Sequence, residues 1–91
     1  MKDGASILIV DDEEPMREAC REILVSEGFL LSEASSGEEA LGIIGRRSFD
    51  LLILDLKMPR VDGLEILRRV QKESPGTATV VITGYPSIDS A

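Results

Sequence analysis

"LLILDLKMPRVDG", residues 51–63, drives four apolar residues into Asp55, then passes through Pro59 to the pair Asp62-Gly63. An unbroken apolar run of this kind suits a strand covered on both faces, as in a parallel sheet. A carboxylate that ends such a strand is held by a rigid element at the rim of the core, with an open loop beyond it. Taken alone, an aspartate after a strand is an ordinary turn or helix-cap residue. Its meaning depends on what the neighbouring strands carry.

The pattern continues on both sides of this strand, "FDLLILD" (49–55). After the loop, "GLEILRRVQKE" (63–73) has helical spacing through Leu64, Leu67 and Val70, with Ile66 beside them and Ser74-Pro75-Gly76 as its stop. Glu65 and Arg69 are placed for an i,i+4 pair. "TATVVIT" (77–83) then reads as a fourth strand.

Upstream, "SSGEEALGIIGRR" (35–47) predicts a helix opened by a capping box, Ser36 with Glu39, and burying Ala40, Leu41 and Ile44. Gly42 and Gly45 weaken it by about 1 kcal/mol each relative to alanine, and Arg46 and Arg47 suit the negative end of its dipole. "FLLSEA" (29–34) is a shorter strand. "EEPMREACREILVSEG" (13–28) places Pro15 in a first turn and Gly28 at a stop, with Met16, Ala19, Cys20, Ile23 and Leu24 as one apolar face. "SILIVD" (6–11) opens the series as a strand. Strands and helices therefore alternate, which predicts an α/β fold with a parallel sheet and helices on both faces.

The 91 residues form at most one domain, carry a net charge of -7 and contain no histidine. That balance argues against binding a phosphate backbone, which needs clustered Lys and Arg, and excludes histidine chemistry within the chain. Cys20 is the single cysteine, so no internal disulfide or thiolate cluster forms. No apolar run approaches the roughly 18 residues of a membrane span, and the start lacks an export signal. A cytoplasmic protein is expected.

In an open parallel sheet, ligands bind outside the carboxyl ends of the strands. Asp11 and Asp12 end the first strand and Asp55 ends the third. If those strands are neighbours, three carboxylates converge, and their repulsion calls for something positive between them. Magnesium is the economical choice, because it favours oxygen ligands and takes one or two carboxylates together with phosphate oxygens. Thr83, at the end of the fourth strand, offers a hydroxyl that can donate to a phosphoryl oxygen. An aspartate carboxylate can attack phosphorus when a cation offsets the charge.

"ILIVDDEE", "DLLILDLKMPRVDG" and "VVITGY" together resemble the receiver domain of bacterial two-component response regulators, in type, order and spacing and over essentially the whole chain. The resemblance implies a flavodoxin-like doubly wound sheet of strand order 2-1-3-4-5. It implies that Asp55 accepts a phosphoryl group from a sensor histidine kinase, and that Asp11, Asp12, Asp55 and the backbone carbonyl of Lys57 hold Mg2+. Thr83 would close on the phosphoryl oxygens and relay their presence to an output domain, with transcription regulation the expected process.

Receivers also carry a fifth strand ending in a lysine and a last helix, for which this chain has no matching residues. It is expected to be a single receiver domain, incomplete at the C-terminus, whose uncovered fourth strand is available for self-association. Two alternatives stay open: a receiver-like interaction domain that works without phosphorylation, and a phosphohydrolase with a nucleophilic aspartate. The hydrolase reading is disfavoured by Lys57 standing where such enzymes carry a second carboxylate. A nucleotide-binding enzyme is disfavoured because no glycine-rich loop follows the first strand.

Overall fold

The computed structural model describes residues 4–55 and 63–82. Four strands, β1 (Ser6–Val10), β2 (Leu30–Ala34), β3 (Leu51–Asp55) and β4 (Ala78–Ile82), alternate with three helices, α1 (Glu14–Ser26), α2 (Gly37–Ile44) and α3 (Gly63–Glu73). The strands are all parallel, in the order β2-β1-β3-β4. This is the predicted doubly wound order. Right-handed crossovers place α1 on one face, because β1 steps to β2 in one direction, and α2 and α3 on the other, because the later steps reverse it.

The main core lies under α2 and α3. Leu8 and Val10 of β1, Leu52 and Leu54 of β3, and Ala34 of β2 meet Ala40 and Ile44 of α2, Ile66 and Val70 of α3, and Phe49. β1 is the central strand of this packing and is buried from Ile7 through Val10. Its burial on both faces explains its unbroken apolar sequence.

Helix boundaries follow local chemistry. Ser36 is extended and its side chain accepts a hydrogen bond from Glu39 N, capping α2. The reciprocal half of the expected box is displaced by one residue, since Glu39 Oε1 accepts from Ser35 N at 2.9 Å. α1 ends in a Schellman motif: Phe29 N donates to Leu24 O at 3.1 Å and Gly28 N to Val25 O at 3.0 Å. Gly28 has φ +94°, which a residue with a Cβ rarely adopts, and so is required there.

Two helical faces differ from the sequence pattern. α1 has no fully buried residue; Ile23 is 63 % exposed, and Met16 is exposed as well. The half-buried positions are Arg17, Cys20, Arg21 and Leu24, a stripe turned by one position from the expected one. The guanidinium heads of the two arginines find partners there. In α3 the buried residues are Gly63, Ile66 and Val70, and Leu64 is 51 % exposed. Arg69 pairs with Glu73 at 3.7 Å instead of with Glu65.

The amino ends of the strands are tied together by hydrogen bonds. Asp50 Oδ2 accepts from Ser6 N at 2.8 Å, while Asp50 N donates to Ser6 O at 2.8 Å. Thr77 Oγ1 donates to Phe49 O at 2.6 Å, and Ala78 N to Asp50 O at 3.0 Å. These bonds fix the starts of β1, β3 and β4 relative to one another, and so fix where their carboxyl ends come out.

Candidate metal and phosphoacceptor site

β1 and β3 are neighbours whose register ends at Val10↔Leu54. Asp11 and Asp55 are the next residue on each strand path, so the pairing itself sets them side by side. One carboxylate oxygen from each of Asp11, Asp12 and Asp55 lies within 4.8 Å of the others. Asp11 and Asp55 are buried, at 4 % and 6 % exposure, and Asp12 faces solvent.

Asp11 is held at three points. Its N–H donates to Ala34 O at 3.1 Å, its Oδ1 accepts from Glu13 N at 2.9 Å, and its carbonyl accepts from Arg17 Nη1 at 2.8 Å. Burial pushes its carboxyl above the ordinary 3.8, and the negative charges of Asp55, Asp12 and Glu13 push the same way. The hydrogen bond from Glu13 N opposes this rise. The Cys20 thiol on α1 is raised by burial and by the charge of Asp11.

The donor set fits a hard divalent cation. Magnesium binds oxygen at 2.0–2.1 Å in an octahedron, so opposite ligand atoms lie about 4.2 Å apart. Three oxygens within 4.8 Å of one another are close to that scale. A cation there would offset the repulsion that raises Asp11. Lys57 and Thr83, also expected at the site, lie outside the described residues.

Sequence reading missed Arg17, Arg21 and Glu33. Glu33 on β2 takes Arg17 Nε on Oε1 at 3.2 Å, and Arg21 Nη1 on Oε2. A usable signal was present: a glutamate inside a strand, and two arginines at i,i+4 on the preceding helix.

A profile of the response regulator receiver domain matches residues 7–91. The chain belongs to this family. The receiver domain is 36 % identical over 96 % of its length to the transcriptional regulatory protein GlrR of Escherichia coli K12, and spans 20 % of that protein. It is 36 % identical to sporulation initiation phosphotransferase F of Bacillus subtilis, covering 91 % of this chain and 67 % of that one. Among solved structures it resembles the response regulator TrrA of Thermotoga maritima in complex with Mg(2+)-BeF, with a TM-score of 0.82, 37 % identity and coverage of 94 % of this chain and 75 % of that one. It also resembles a Burkholderia pseudomallei response regulator with a phosphorylated aspartic acid and a calcium ion, with a TM-score of 0.84, 28 % identity and coverage of 96 % and 51 %. The expected self-association through β4 finds no support in these relatives. None of the helices among the described residues is long and apolar enough to cross a membrane.

Proposed function

We propose that this receiver domain is a phosphorylation switch in which Asp55 accepts a phosphoryl group from a sensor histidine kinase. The observation that carries this reading is the convergence of Asp11, Asp12 and Asp55 at the carboxyl ends of adjacent strands. The phosphorylated aspartic acid and the Mg(2+)-BeF of the two similar structures support it.

A carboxylate oxygen of Asp55 attacks phosphorus. The new P–O bond forms as the donor's P–N bond breaks, and the imidazole leaves as the neutral ring by taking up a proton. β3 holds the nucleophile at the rim of the sheet, and burial keeps it in one orientation. Asp11, Asp12 and Asp55 would hold Mg2+, with the Lys57 carbonyl as a further ligand. Bound there, the cation supplies charge neutralisation for the incoming phosphoryl group. Thr83 supplies a hydroxyl to the phosphoryl oxygens and carries their presence toward an output domain. The names of relatives such as GlrR, a transcriptional regulatory protein, point to transcription regulation as the process, and the cytoplasm is its proposed place.

Intact-mass spectrometry after incubation with acetyl phosphate and Mg2+ tests this. The wild type should gain one phosphoryl mass and Asp55→Asn none. No gain in the wild type would leave the domain as an interaction module that works by docking.

A further inference from the structure

We propose that Arg17 is a positioning residue for the cation site: by joining the Asp11 carbonyl to Glu33 on β2, it fixes the main chain that carries the buried ligand. This rests on the reading of the carboxylate crevice as a cation site.

Arg17 is the one side chain described here that touches both the end of β1 and the neighbouring β2 strand through hydrogen bonds, with Nη1 on Asp11 O at 2.8 Å and Nε on Glu33 Oε1 at 3.2 Å. Its side chain is 14 % exposed. A planar guanidinium holds two acceptors in a fixed geometry, which an ammonium cannot do. Glu33 is itself immobilised, because Arg21 takes its second oxygen. With the Asp11 N–H on Ala34 O, the main chain on both sides of the Asp11 Cα is anchored to β2 or its end. These main-chain anchors, together with the Glu13 N–H on Asp11 Oδ1, set the direction of the carboxylate. This is the arrangement by which outer partners orient ligands in metal sites.

Charge and position make opposite predictions for Arg17. It is a cation beside an acidic crevice, so by charge alone its removal would strengthen cation binding. Its removal as a positioning group weakens it.

The full chain is titrated with Mn2+ and free ion is followed by electron paramagnetic resonance, for wild type, Arg17→Gln, Arg17→Lys and Asp11→Asn, with far-UV circular dichroism as the check on folding. Arg17→Gln should bind about tenfold more weakly. Arg17→Lys, which keeps the charge but loses the fork, should also bind more weakly than wild type. Binding by a folded Arg17→Gln as tight as, or tighter than, wild type overturns the proposal. If the Gln variant does not fold, the Lys variant decides, and wild-type affinity there overturns it equally. If instead the wild type binds no Mn2+, or Asp11→Asn binds like wild type, the cation-site reading fails and takes this inference with it.

Discussion

At the amino end of the sheet an aspartate acts as a clamp, whereas at the carboxyl end aspartates are set against one another. Asp50 accepts from Ser6 N–H and returns its own N–H to the Ser6 carbonyl, so its charge sits against hydrogen-bond donors. Asp11 and Asp55 are buried beside each other, and although Asp11 Oδ1 accepts from Glu13 N–H, its carboxyl is raised by burial and by the neighbouring charges. The same residue type therefore stabilises one end and strains the other. Only the strained end has a reason to take up a cation.

The sharpest way to break the contrast is Asp55→Asn, which should abolish the gain of phosphoryl mass altogether. Next in size, Asp50→Ala should cost about 1–2 kcal/mol, read as a lower midpoint in urea unfolding. Its Mn2+ affinity should stay at the wild-type value, because the clamp is at the far end of the strands. Loss of cation binding in that variant would show that the two ends are not separable.

Asp11→Asn should do the reverse. It keeps an acceptor for Glu13 N–H but removes a buried charge, so the metal-free protein should gain about 1 kcal/mol at neutral pH while Mg2+ no longer raises its melting temperature. The pH dependence has a definite sign. Folding holds the Asp11 carboxyl above its ordinary 3.8, so the folded chain binds the proton more tightly, and this group's contribution to stability falls as pH rises through the raised value. The advantage of Asn is therefore full at neutral pH and shrinks as pH falls toward the ordinary value. Denaturant melts across that range, without divalent ions, measure it. The smallest effect belongs to neither end: Gly42 is exposed and an added Cβ would meet nothing nearer than Arg46 Nη1 at 3.9 Å. Gly42→Ala should stabilise by about 0.5–1 kcal/mol, leaving cation affinity unchanged.

The alternation of strands and helices, and the placing of Asp11 and Asp55 at strand ends, were legible because unbroken apolar runs end in aspartate; the strand order, and with it the pairing of those two residues, followed only from the resemblance to receiver domains. α3 was legible in its bounds, from Gly63 to the Ser74-Pro75-Gly76 stop, and in its face at Ile66, Leu67 and Val70, but not at Leu64. Leu64 has the right spacing for burial and yet is exposed, because Gly63, Ile66 and Val70 define the side that meets the sheet. α1 misled for a related reason. Apolar spacing favours Met16, Ala19 and Ile23, whereas the inward stripe includes Arg17 and Arg21, whose heads share the one carboxylate of Glu33 on β2.

The register of β1 against β3 has a consequence for how the chain acquires its chemistry. A slip of one residue would turn every side chain of β3 to the opposite face. Asp55 would then lie against the Leu8, Val10 and Leu54 side of the sheet, where a carboxylate has no counterpart, and an apolar residue would take its place beside Asp11. Misregistered chains would thus be penalised twice, by a charge in the hydrocarbon core and by the loss of the proposed acceptor. Under the proposed function, only correctly threaded strands would present Asp55 to a phosphodonor.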